Sequence, residues 1–330
     1  MTTTFTTRRE RGTRGTHGRG TGGRGTGTGP RRTRRRGTGI RDGQVPAHPV
    51  MRLVKGVVLL AVCAVVVLPF VGIVATSLAP SGQVTEAGGF VFWPESVDLS
   101  AYRAILSGGV VSRALQVSVF VTVVGTALAL TATALLAYAL SRPTMPGRGV
   151  VLMLVLFTLF FHPGMIPLYL AVKDFQLLDT VWAMIVPTMI SGFNVIVMRA
   201  FFMGVPNELT EAATLDGASE WQIFRRIVLP LSKAVMAVIG LFYAVNYWNS
   251  FFTALLYIRD SDLWPLQLVL RTYVVNDTPL AQAELGADVV PAQPSLQMAV
   301  LVISVIPILL VYPFLQRHFA KGVLTGAVKG

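Results

Sequence analysis

Six apolar stretches, residues 57–78, 115–140, 150–170, 181–202, 234–256 and 296–316, constrain most strongly what this chain can fold into. Crossing roughly 30 Å of hydrocarbon as a helix takes about 20 mainly apolar residues, and each stretch is long enough. Five contain no Asp, Glu, Lys or Arg, and the fourth contains one, Arg199, close to its end. Only 13% of the residues are charged, and the mean hydropathy is +0.61. A soluble domain carries about 25% charged residues, so the expected fold is an all-α membrane protein with six transmembrane helices. The first stretch is too long for a signal-peptide core and lacks a convincing small-residue cleavage site before Pro80, so it is expected to stay as a span. Cys63 is the single cysteine, which leaves no intrachain disulfide and no thiolate metal cluster to expect.

Charge placement sets the expected orientation. With the N-terminus in the cytoplasm, the inner segments beyond the tail carry Lys55, Arg142, Arg148, Arg199, Arg225, Arg226, Lys233, Arg317, Lys321 and Lys329. The outer segments carry Arg103, Arg113, Lys173, Arg259 and Arg271. This asymmetry satisfies the positive-inside rule and puts both termini in the cytoplasm. The outer loop at 79–114 includes Phe90, Phe92 and Trp93, residue types suited to the membrane interface.

Residues 1–52 form a separate region, ahead of a membrane domain at 53–330. The region holds thirteen arginines against Glu10 and Asp42, and so supplies +11 of the net +12. Its Gly, Thr and Arg residues offer too little apolar surface to offset ordering entropy, so disorder is expected. It lacks the interleaved aromatics that stack nucleic-acid bases, so no nucleic-acid partner is expected. A basic arm lying on anionic lipid and a chain that starts at Met51 both remain open readings.

Two motif matches lack their mechanism. Gly18-Arg19-Gly20-Thr21-Gly22-Gly23 fits a dinucleotide fingerprint but has no strand before it and no helix after it. Leu106-Ser107-Gly108-Gly109 resembles an ATPase signature, yet the chain has no G-x-x-x-x-G-K-[ST] phosphate loop. The chain is therefore not expected to be an enzyme, nor to bind a metal or cofactor itself.

The segment 203–232, between the fourth and fifth stretches, is the most distinctive. Local chemistry predicts two short helices. Asn207 would cap the first, with Glu208 and Glu211 near its positive end. Gly217 would end it in a left-handed conformation. Ser219 and Gln222 would form a capping box for the second helix, and Pro230 would mark the start of the fifth span. Small residues, Ala212, Ala213, Gly217 and Ala218, let such a helix sink into a groove on another protein, with Trp221, Ile223, Phe224 and Ile227 as apolar anchors. The same pattern also suits an ordinary amphipathic helix at the interface.

Glu211-Ala212-Ala213-x-x-Asp216-Gly217-Ala218, followed by Ile227-x-Leu229-Pro230, resembles the EAA loop of prokaryotic ABC import permeases. The resemblance extends over about 53–330. It implies that Glu211, Ala212, Ala213, Asp216, Gly217 and Ala218 couple to a cytoplasmic ATPase dimer, which binds ATP and Mg. It also implies a second permease subunit, usually a paralogue, and an extracellular substrate-binding lipoprotein. Phe161-His162-Pro163-Gly164-Met165-Ile166-Pro167, Tyr247-Trp248-Asn249-Ser250-Phe251-Phe252 and the segment from Tyr312 to Gly330 are similar to the carbohydrate-type group, associated with complex sugars and oligosaccharides. His162-Pro163 stands where that group often has Asn-Gly or Gly-Gly, which leaves the local bend and the role of His162 open. Pro163, Gly164 and Pro167 are expected to interrupt the third stretch, with the freed backbone groups satisfied by neighbours.

In the fifth stretch Asn246, Asn249, Ser250 and Thr253 recur at helical spacing and would share one face, which in lipid must meet protein or water. Tyr243, Tyr247 and Trp248 border it. Aromatic faces with amide groups suit a neutral polyol, so these residues, with Asn194 in the fourth stretch, are the expected substrate pathway; interhelical hydrogen bonding is the alternative. An importer permease for a non-sugar solute, a secondary carrier and a membrane scaffold are the competing functions. The near-absence of charge in the spans weighs against the carrier.

Overall fold

The computed structural model describes residues 49–272 and 291–327. The expectations for the basic arm up to residue 48, and for part of the last outer loop, lie outside the described residues. The chain forms two compact units, divided after Val57. Of the first, the described residues are the opening turns of helix α1 (Pro49–Leu78).

From Val58 onward the remaining described elements are helical, without strands among the described residues. In order they are α2 (Ser81–Glu86), α3 (Ser100–Leu106), α4 (Val110–Ser141), α5 (Arg148–Phe160) and α6 (Met165–Asp174). Next come α7 (Trp182–Ile185), extended by a 3₁₀ turn Val186–Thr188, then α8 (Gly192–Met203) and α9 (Asn207–Leu215). Helix α10 (Glu220–Ile223) runs on through a π turn, Phe224–Val228, and a last turn, Leu229–Leu231. The chain closes with α11 (Lys233–Trp248), α12 (Phe251–Tyr257), α13 (Leu266–Leu270) and α14 (Gln293–Ala327).

Among the described residues, three helices are long and apolar enough to cross a membrane: Leu53–Leu78 in α1, Val110–Ser141 as α4 and Gln293–Val311 in α14. Two bent pairs would raise the number to five: α7 with α8 at 53°, and α10 with α11 at 83°. The third expected span falls short because it is interrupted. Helix α5 stops at Phe160, and α6 starts only at Met165. Pro163 has no backbone N–H to continue a helix, and Gly164 takes φ +84°, which suits glycine. Pro167 does not interrupt the chain. It sits in the first turn of α6, where its missing N–H has no intrahelical partner anyway.

Two further breaks were not expected. The fourth stretch breaks between Thr188 and Gly192, and the fifth at Asn249 and Ser250. Both run through Ser or Asn, whose side chains compete for backbone partners.

Helix α4 is the central post and packs most extensively on α11 and α8. Small residues let it approach closely: a Cβ at Gly125 would meet the Tyr247 ring at 2.9 Å. The main core joins α4, α7, α8 and α11 through residues such as Val121, Leu140, Ile185, Met198, Ile239 and Tyr243. A second cluster gathers α3, α13 and the start of α14 around Trp248.

Candidate functional site

Segment 203–232 folds as the expected pair of helices, with one difference at its start. Pro206, not Asn207, is the N-cap of α9, and no side chain caps it; Asn207 is already helical and its carbonyl accepts from Thr210 Oγ1 at 2.9 Å. The other end follows the sequence closely. Gly217 takes φ +81°; its N–H donates to Thr214 O at 3.0 Å, and the Ala218 N–H donates to Ala213 O at 2.9 Å. This Schellman pair satisfies the helix's last carbonyls and needs a residue that accepts positive φ. The Ser219–Gln222 capping box is present in both directions.

The two helices differ in how they meet the rest of the protein. Helix α10 is anchored, with Ile223, Phe224 and Val228 all buried in the main core. Helix α9 stands proud, with Glu211, Ala212, Asp216 and Gly217 exposed and Leu215 89% exposed; Ala213 and Ala218 are half-buried beneath it. Neither Glu211 nor Asp216 forms an ion pair or side-chain hydrogen bond with the described residues. The element thus offers two free carboxylates, two small residues and an apolar tip on a helix whose C-terminal end is already satisfied.

The expected pathway residues separate into two groups. Tyr243, Tyr247 and Trp248 are buried and committed to structure. The Tyr243 hydroxyl lies 2.7 Å from Thr133 Oγ1 and accepts from the Ser191 N–H at 3.1 Å, which satisfies a donor freed by the break before α8. Tyr247 donates to Ile185 O, and the Trp248 indole to Ser304 O, both at 3.1 Å. They hold the bent helices together, with their polar tips already occupied inside the bundle. Asn194 is also buried, at 5% exposure.

Asn246 and Asn249 are exposed, and Asn249 Nδ2 donates to Val245 O at 2.9 Å. Ser250 is buried with its hydroxyl unpartnered. The break at 249–250 puts Thr253 on a different helix, so the four residues do not share one continuous helical face as the spacing suggests. Thr253 instead lines an open recess of about 360 Å³ with His162, Gly164, Thr188, Phe252 and Tyr257. All three helix interruptions border this recess. Sequence reasoning missed Thr188 and Tyr257. Pro187 was the available signal, since a proline in mid-span marks freed backbone.

Beyond α12, Asp179 closes a joint. Its N–H donates to Tyr257 O, and its carboxylate accepts the N–H groups of Arg259 and Asp260, each at 2.9 Å. These two donors hold its pKa below the usual carboxylate value. Among the described residues, no group of His, Cys, Asp and Glu could hold a metal ion.

Long apolar helices with a protruding polar helix between them define the class as a helical membrane protein. The family model for binding-protein-dependent transport system inner membrane components matches residues 143–325, and the chain belongs to that family of ABC transporter permease subunits. The polygalacturonan/rhamnogalacturonan transport system permease protein YtcP of Bacillus subtilis (strain 168) is 46% identical over 274 residues, covering 82% of this chain and 96% of the relative. Protein LplC of the same organism is 47% identical over 268 residues, covering 81% and 90%. The crystal structure of a bacterial ABC transporter involved in the import of the acidic polysaccharide alginate superposes with a TM-score of 0.76 at 31% identity, covering 84% of this chain and 99% of that one.

Proposed function

We propose that this chain forms half of the translocation pathway of an ATP-driven carbohydrate importer, and that α9 is the element through which the ATPase drives it. The observation that carries this reading is the exposed, unpaired Glu211 and Asp216 on a helix whose C-terminal end is otherwise satisfied. A free carboxylate beside small residues can be desolvated only against complementary donors on a partner. Glu211, Ala212, Ala213, Asp216, Gly217 and Ala218 make up the docking surface, and the ATP and Mg belong to the docked ATPase dimer.

In this reading the chain spans the membrane six times. Helices α5 and α6 together form the third span, and both termini are cytoplasmic. A second permease, most naturally a paralogue, supplies the other half of the pathway, and an extracellular lipoprotein delivers the sugar. The recess around His162, Thr188 and Thr253, together with the exposed Asn246 and Asn249, offers polar groups along the pathway; Asn194, Ser250, Tyr243, Tyr247 and Trp248 support it from behind. The names of the relatives favour oligosaccharides cut from larger polysaccharides, and acidic ones are the first class to test.

The experiment is reconstitution of the assembled importer in vesicles, with oligogalacturonides presented on the binding protein. Uptake should require ATP. Glu211→Lys should abolish uptake while the chain still inserts in the membrane, because it sets a cation where the ATPase meets a carboxylate. Uptake by this chain alone, driven by an ion gradient, would overturn the reading.

A further inference from the structure

The anchored half of the loop is tied to a helix that is not its neighbour in sequence. At the C-terminal end of α4, the Tyr138 hydroxyl donates to Glu220 Oε2 at 2.6 Å, 82 positions along the chain. It also accepts from Arg142 Nη2 at 2.6 Å. Arg142 Nε lies 3.2 Å from the same Glu220 oxygen, and the guanidinium sits 4.7 Å over the Tyr138 ring. That ring lies 4.7 Å from Phe224 and 6.3 Å from Phe202. Arg199, the one charged residue of the fourth apolar stretch, donates to Leu140 O at 3.0 Å and fixes the same end of α4 to α8.

Stability does not account for this cluster. The Glu220 side chain is 63% exposed and that of Arg142 21%, and ion pairs this open to solvent contribute little. Helix α10 is already held by its buried apolar residues and its capping box. What the cluster adds is direction. Toward its C-terminus the covalent path from α9 to the spans passes through the Gly217 turn and then through the 83° bend before α11, and toward its N-terminus through the short linker 204–206 to α8. Joints of that kind can absorb displacement. A three-way contact between α10 and the central post bypasses the bend, and short charge-assisted hydrogen bonds hold the two elements at a fixed separation.

We propose that Tyr138, Arg142 and Glu220 form a latch that carries movement of the docked loop directly into α4. They act as positioning residues for coupling, and the proposal rests on α9 being the ATPase-docking element.

The test uses the full importer in a Cys63→Ser background, comparing wild type with Tyr138→Phe and Glu220→Gln. Nitroxide labels at Phe120→Cys on α4 and Arg225→Cys on the loop report their separation, without nucleotide and after trapping with ADP and vanadate. The latch requires one narrow distance distribution in both states of the wild type. In the variants the distribution should broaden or shift on trapping. ATP hydrolysis should persist in the variants while oligogalacturonide uptake per ATP falls roughly three- to tenfold, the scale on which single contacts tune coupling. Distributions in both variants that match the wild type, or hydrolysis and uptake that fall in parallel, would overturn the latch and leave the docking reading intact. A wild-type chain that fails to co-purify with its ATPase would overturn the docking reading itself, and the latch with it.

Discussion

Gly217 shows how much one backbone angle can decide. At φ +81° a side chain is strained, yet a Cβ there would meet nothing within 4 Å. The constraint is conformational rather than steric, so the substitutions should rank by their tolerance of the left-handed region. Gly217→Asn should keep most uptake, because Asn adopts this conformation readily. Gly217→Val should lose it, at a local cost of about 1–2 kcal/mol, with membrane insertion unchanged; immunoblots of membrane fractions beside transport assays read both. Equal uptake by the two variants would show that the turn does not need its left-handed residue. Gly217 was legible from sequence because the Ser219 capping box follows it immediately, leaving little room for another turn. Asn207 was misread, because Pro206 fixes its own φ and so takes the cap position one residue earlier.

Among the described helices, three glycines bring another helix into contact, and the atoms they face predict different outcomes. A Cβ at Gly125 would strike the Tyr247 ring at 2.9 Å, and one at Gly192 would meet the Val155 carbonyl oxygen at 3.0 Å. The first is a buried ring pinned by its hydrogen bond to Ile185, and the second is backbone, so neither yields easily. A Cβ at Gly240 would meet only the end of the Leu130 side chain, at 3.3 Å. Gly125→Ala and Gly192→Ala should each lower the melting temperature in detergent, by an overpacking cost of about 1–3 kcal/mol. Gly240→Ala should be close to neutral. An equal shift for all three would show that helix approach is not what these positions control. The helices themselves were foreseeable from apolar length, and so was the interruption at Pro163 and Gly164. The break before Gly192 was not, because the Tyr243 hydroxyl that satisfies it comes from 52 positions away.

For the whole molecule, the arrangement of charge predicts sidedness. In a Cys63→Ser background, Trp93→Cys and Leu215→Cys replace residues that are 85% and 89% exposed. An impermeant maleimide applied to intact cells should label the first and not the second, with the pattern reversed in inverted vesicles. Labelling of Leu215→Cys from outside would turn the proposed topology over and put α9 beyond reach of any ATPase. The sequence by itself determined that the chain is helical and membrane-embedded, and it supplies the charge bias and turn chemistry on which the proposed sidedness and docking loop rest. Those properties are sums over local residues: apolar length, charge bias and turn chemistry. Only the tertiary structure decided where the spans bend and that Tyr243, Tyr247 and Trp248 belong to the packed interior. It also put Thr253 on a separate helix from Asn246, in a recess beside His162. Each of these depends on which distant group supplies a hydrogen bond or fills a space, and residue spacing along one helix carries no record of that.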